Sequence, residues 1–206
     1  MKRGLKQILK FVCLKWIENE INYVTPGFTR EQYPCIMKRN TDLVTLGGNP
    51  VTLMGKLIRK DLPAKNFIAT GTDLKPFSLS DYQGKVRIIS SVPSVDTDVC
   101  AQQTRRFNLE AAKMEDVHVI SISCDLPFAL KRFCAAEGID KVTTVSDQKD
   151  KDFGIKYGLL IEEFGILARA IVIVDKEDVV RYVELVGEVG DHPDYDKALA
   201  VAKELA

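Results

Sequence analysis

Apolar and polar positions along the chain fall into stretches of two different periods, and the changes of period mark out its elements. Leu5, Ile8, Leu9, Val12, Trp16, Ile17 and Ile21 recur at three- and four-residue spacing, the stripe of an amphipathic helix. Residues 51–77 carry short apolar runs broken by Gly55, Pro63, Gly71 and Pro76, which predicts edge strands and a hairpin. Residues 86–92 form a longer apolar run closed by Pro93, the pattern of a central strand. A helix is predicted over roughly 98–114, with Cys100, Thr104, Phe107, Ala111 and Met114 on its inward face. Residues 117–123 are almost continuously apolar or small, as in a parallel strand buried on both faces. Pro127 then opens a helix in its first turn, where its missing N–H costs nothing. That helix turns Leu130, Phe133 and Cys134 inward and stops near Gly138. A short strand at 142–145, a helical turn at 152–157, a hairpin of 170–174 with 179–186, and a closing helix at 194–205 complete the pattern.

Strand, helix, strand, helix, then a hairpin and a last helix predict an α/β sandwich whose mixed sheet has helices on both faces. The thioredoxin fold has this order, preceded here by an N-terminal β-hairpin. An apolar content of 46% with 28% charged residues suits one globular domain. Lys plus Arg equals Asp plus Glu at 29 each, so no net field gathers nucleic acid or acidic lipid. Lys10 and Lys15 interrupt the early apolar stretch, which therefore cannot span a membrane. Its basic start (Lys2, Arg3, Lys6) lacks the charge-free core of a secretory signal. An interfacial membrane helix is one reading of residues 1–36. The preferred one takes them as an extension upstream of a natural start at Met37, leaving 37–206 as the domain.

Five cysteines, Cys13, Cys35, Cys100, Cys124 and Cys134, form no Cys-x-x-Cys and do not cluster with His118 or His192 at zinc-like spacing. Neither a disulfide framework nor a metal site is expected. An odd set of thiols points to a reducing, cytoplasmic compartment. Cys100 stands apart because it lies where a strand gives way to a helix. Unpaired N–H groups and the positive end of the peptide dipoles favour an anion there, and the thiolate is the reactive form of cysteine. Such a thiolate wants a cation beside it. Arg105 and Arg106 are candidates by closeness in sequence, but they lie about one and a half turns into the helix, where long side chains reach solvent.

Pro93, Thr97 and Cys100 fit the pattern Pro-x-x-x-Thr-x-x-Cys, which resembles that of peroxiredoxins. Pro93 would end the strand and shield the thiol. Thr97 would offer a hydroxyl to the thiolate or to a bound hydroperoxide. Longer stretches, PSVDTDVCAQQTRRFN at 93–108, SCDLPFALKRFCAAEG at 123–138, LARAIVIVD at 167–175 and GNPVT at 48–52, resemble bacterial thiol peroxidases. The likeness spans 46–205 and leaves the first 36 residues unmatched.

The resemblance implies an atypical two-cysteine peroxiredoxin, a homodimer reduced by thioredoxin that acts on hydrogen peroxide and alkyl hydroperoxides without metal, haem or flavin. It makes Cys100 the peroxidatic cysteine, Cys134 the resolving cysteine paired with it in an intrachain disulfide, and Arg169 the active-site cation. Asp98 departs from the family pattern, which has a small residue there, and sets a carboxylate near the thiol.

Bland readings stand beside these. A cysteine on an apolar face is usually packing, and Cys124 is read so; Thr97 also suits a helix cap. Arg169 without the resemblance is an ordinary arginine before a strand, and His118 and His192 are structural or exposed. The enzyme alternative is a one-cysteine peroxidase in which Cys134 only packs. The non-enzyme alternative is a peroxide-responsive redox sensor. Missing Cys-x-x-Cys weakens a disulfide oxidoreductase. If Cys100 and Cys134 sit on two helices, a disulfide with Cα atoms within about 7 Å requires local unwinding first.

Overall fold

The computed structural model describes residues 37–114 and 116–206, so the amphipathic stretch and the reading of residues 1–36 lie outside the described residues. Chain order runs β1 (Arg39–Leu46), β2 (Asn49–Met54), β3 (Ile68–Gly71), β4 (Pro76–Ser78), a 3₁₀ turn (Leu79–Tyr82) and β5 (Val86–Ser91). It continues with α1 (Asp98–Ala111), β6 (Val117–Ser123), α2 (Pro127–Glu137), β7 (Val142–Ser146) and α3 (Asp152–Tyr157). The last elements are β8 (Leu160–Ile161), β9 (Ile166–Leu167), β10 (Ala170–Val174), β11 (Val180–Leu185) and α4 (Tyr195–Leu205).

Seven strands form one sheet in the order β11-β10-β5-β6-β7-β3-β4. β5, β6 and β7 are parallel, connected through α1 and α2, and the outer strands pair antiparallel. This is the mixed sheet of a thioredoxin fold. Alternate side chains divide between two cores. Val86, Ile88, Val119, Ile171 and Ile173 meet Phe107 of α1, Phe133 of α2 and Ala198, Leu199 and Ala202 of α4. Ile89, Ile120, Ile122, Val172 and Val174 meet Phe153 and Tyr157 of α3 on the other face. Helices thus cover both faces, three on one and the shortest on the other.

A second sheet, β1-β2-β8-β9, was not legible in the sequence, which predicted edge strands only from residue 51 onward and none over β1. β8 and β9 have two residues each, too few to show a period. Val44, Val51, Leu53, Ile161, Ala168 and Val189 make its small core. Gly55, just past β2, brings the two parts of the fold into close contact. Its φ is +101°, and a Cβ there would lie 2.0 Å from the Ile155 carbonyl oxygen, so only glycine fits.

Helix ends follow the local signals. Pro127 occupies the first turn of α2, and Gly138 closes it in the left-handed conformation at φ 65°. The helix expected over 98–114 ends earlier, at Ala111, while Met114 is still buried beneath it. Of the hairpins, β3–β4 lies inside the stretch 51–77 expected to hold one, whereas β1–β2 begins ahead of it and only β2 reaches into it.

Candidate active site

β5 lies between β10 and β6, and its C-terminal end is the point where an open α/β sheet presents backbone to a ligand. Val92 still bonds to the Ile122 carbonyl, and the buried Pro93 then turns the chain out of the sheet. Asp125 fastens the following loop, since its carboxylate accepts from Ser94 Oγ and the Val95 amide, both at 2.8 Å. Thr97 occupies the N-cap position of α1, and its carbonyl accepts from the Ala101 amide at 2.9 Å. Its hydroxyl does not cap the helix; it donates to the Ser94 carbonyl at 3.2 Å. Cys100 is the third residue of α1 and has no exposed surface.

Opposite Cys100 stands Arg169, which reaches in from the segment between β9 and β10 and is itself only 1% exposed. Its three donor groups are all used. Nε donates to the Val189 carbonyl at 2.8 Å, one terminal nitrogen to Gln103 Oε1 at 2.6 Å, and the other to Cys100 Sγ at 3.2 Å. Gln103 is held in turn by donating Nε2–H to Ser90 Oγ at 2.7 Å. Among the described residues no carboxylate pairs with Arg169. A buried guanidinium without a counter-ion is costly unless some partner carries negative charge. The group that faces it is the Cys100 sulfur.

The rival cations point elsewhere. Arg105 bonds to Glu137 at 2.5 Å, and Arg106 pairs with Asp196 at 2.6 Å while lying over the Tyr195 ring. Asp98 is exposed on the first turn of α1. Gln103 was missed in the sequence. Its one signal is its place on the Cys100 face, a single helical turn further on, and glutamine at such a position reads as an ordinary helix former.

Cys134 is half-buried on α2, with its sulfur 3.1 Å from Thr144 Oγ1 of β7. Burial pushes its thiol pKa up, against the opposing pull of the Thr144 hydrogen bond. It lines a groove of about 430 Å³ together with Gly71, Thr72, Asp140 and Thr143. Cys100, Cys124 and Cys134 are all free thiols, so Cys100 and Cys134 stand on separate helices unbonded. Cys124 follows β6, packs against the α3-side core, and has its pKa raised to about 11, chiefly by burial. His118 stacks on Tyr82 with centroids 3.5 Å apart, and His192 Nδ1 lies 2.7 Å from the Tyr195 hydroxyl. Among the described residues no group of histidine, cysteine and carboxylate side chains is arranged to hold a metal ion. Nor is any helix there long and apolar enough to cross a membrane.

The geometry is a buried thiol in the first turn of a helix, facing a buried guanidinium at the C-terminal end of a central strand of a thioredoxin-type sheet. The Redoxin family profile matches residues 59–199 of this chain. A thiol peroxidase of Oceanobacillus iheyensis is 52% identical over 157 residues, 76% of this chain and 96% of that protein. A thiol peroxidase of Bacillus subtilis is 48% identical, covering 79% of this chain and 97% of its own. Among solved structures, a peroxiredoxin-like protein from Aquifex aeolicus superposes with a TM-score of 0.76 at 43% identity, over 82% of this chain and 99% of that one. The chain therefore belongs to the Redoxin family and, within it, to the thiol peroxidases, which makes it a peroxiredoxin-type peroxidase.

Proposed function

We propose that this peroxidase reduces hydrogen peroxide and organic hydroperoxides through Cys100, with Cys134 resolving the oxidised sulfur and thioredoxin returning the electrons. The observation that carries the reading is the buried Arg169 guanidinium, which has no carboxylate partner among the described residues and donates to the Cys100 sulfur at 3.2 Å. A guanidinium so placed favours the thiolate and then stabilises charge on the peroxide oxygens as the O–O bond breaks. The thiolate attacks the distal peroxide oxygen, and the S–O bond forms as O–O cleaves. The leaving alkoxide or hydroxide takes up a proton to depart as alcohol or water, and Cys100 is left as a sulfenic acid. Thr97 keeps its hydroxyl oxygen as an acceptor for the hydroperoxide proton, and Pro93 shields the sulfur from bulk water.

Cys134 then attacks the sulfenic sulfur, water leaves, and an intrachain disulfide remains. Two thiol–disulfide exchanges with a reduced thioredoxin restore both thiols. A homodimer in a reducing, cytoplasmic setting fits the same reading. One observation favours the simpler alternative of a one-cysteine enzyme: Cys134 is bonded to Thr144 and its thiol is made less acidic by burial. Mass mapping under non-reducing conditions after one equivalent of peroxide separates the two. A Cys100–Cys134 peptide pair is the expected product. Cys134→Ser should lose thioredoxin-coupled turnover while keeping one stoichiometric burst; full turnover in that variant would remove Cys134 from the cycle.

A further inference from the structure

The β1–β2 hairpin is tied to Arg169 through one short loop. Residues 186–189 wrap that arginine with backbone on two sides. The Val186 amide donates to the Arg169 carbonyl at 3.0 Å, and the Val189 carbonyl accepts from Arg169 Nε at 2.8 Å. The outer side of the loop rests on the hairpin. Thr45 N donates to the Gly187 carbonyl at 2.7 Å and Val189 N to the Thr45 carbonyl at 2.8 Å. Glycines flank the loop at 187 and 190, so its own backbone gives it little stiffness.

The stiffness comes from Glu188. Its carboxylate accepts from Thr45 Oγ1 at 2.7 Å, from the Gly47 and Gly48 amides at 3.0 Å each, and from the Gly190 amide at 3.1 Å. Gly47 and Gly48 both have positive φ, 61° and 78°, and their successive N–H groups converge on the one anion. These bonds hold the carboxyl at about 2, far below its usual range, so the anchor stays ionised at any working pH. Val189, 1% exposed, is locked beside it among Val44 and Val51.

We propose that Glu188 is a positioning residue for the peroxidase reaction: by pinning the 186–190 loop to the hairpin turn, it sets where the Val189 carbonyl holds the Arg169 guanidinium against Cys100. The inference rests on the part given to Arg169 above. Its test uses the full chain with Glu188→Ala, Glu188→Gln and, as a stability control, Asp175→Asn. Asp175 fastens the β10–β11 turn at the opposite end of the strand, accepting from Val179 N and Arg181 Nε. Three readouts are needed: the second-order rate of Cys100 with hydrogen peroxide in a single turnover, the pH profile of Cys100 alkylation, and the melting temperature.

Glu188→Ala should slow the peroxide step on the order of tenfold, as displacement of a positioned group does, and move the alkylation profile to higher pH. Glu188→Gln, which keeps one acceptor oxygen, should fall between it and the parent, and decides the matter if Glu188→Ala does not fold. Asp175→Asn should lower the melting temperature and leave both other readouts in place. Unchanged rate and profile in a folded Glu188 variant would overturn the proposal, as would equal changes in Asp175→Asn. Arg169→Met run alongside tells the two failures apart. No loss there removes the role of Arg169 itself, whereas a loss there with Glu188 silent removes only the positioning.

Discussion

At the scale of single residues, charge placed without a charged partner carries most of the information. Arg169 and Cys100 define one such pair. His118 illustrates the converse, a titratable group kept neutral. Burial chiefly, with Lys85 adding to it, lowers its pKa from 6.5 to about 4. The unfolded chain takes up this proton below about 6.5, while the folded protein resists until about 4. Stability from this group is therefore complete above the higher value and lost as the pH falls towards the lower one. Asp147 acts with the opposite sign over part of the range, since burial raises its carboxyl to about 6 and the folded state takes its proton first. A comparison of variants isolates the histidine. His118→Gln should flatten the fall in urea midpoint between pH 6.5 and 4, and an unaltered slope would remove His118 as its source. The position of Cys100 was readable at this scale because a strand exit and a helix start are both local. The guanidinium partner was not, because 69 residues separate Arg169 from Cys100. Only the family likeness drew attention to it, and Gln103 had not even that.

At the scale of elements, the two thiols stand on α1 and α2, and Asp125 lies at the joint between them. Its carboxylate holds Ser94 and Val95 ahead of α1, and it sits two residues before Pro127 opens α2. Cys134 meanwhile faces Thr144. Both thiols are free and each sulfur has its own partner, Arg169 for Cys100 and Thr144 for Cys134, so a disulfide, with Cα atoms within about 7 Å, requires both to leave those partners. Oxidation to the Cys100–Cys134 form should therefore unwind the first turn of α1 and part of α2. Hydrogen exchange would show it as faster exchange at 97–101 and 127–135, with β5 and β6 as protected as before; equal protection in both redox states would discard the unwinding step. Asp125→Ala should hasten disulfide formation by loosening the same joint. Element type and order were legible here because α1, β6 and α2 are long enough to show their periods. β8 and β9 were not, because a two-residue strand exists only through its partners.

For the whole molecule, every residue assigned to the reaction falls within the unit Met37–Ala206. A chain beginning at Met37 should keep the peroxide rate and the melting temperature of the full one; a loss of either would give residues 1–36 a part in the enzyme. The equal numbers of acidic and basic residues, 29 each, likewise leave little reason for steering of neutral peroxides by the net charge, so that rate should vary little with ionic strength.

Periodicity and the placement of proline and glycine settled the α/β class and the order of the main elements, and one cysteine at a helix start pointed to the proposed nucleophile. Those signals lie within a few residues of one another and act before any distant contact forms. The tertiary structure decided which arginine meets the sulfur, that Gln103 and the Val189 carbonyl aim it, and that a hairpin near residue 47 steadies the loop around it. Such choices depend on long-range closure of the sheet, where the energy of burying a charge selects its partners and sequence distance has no bearing.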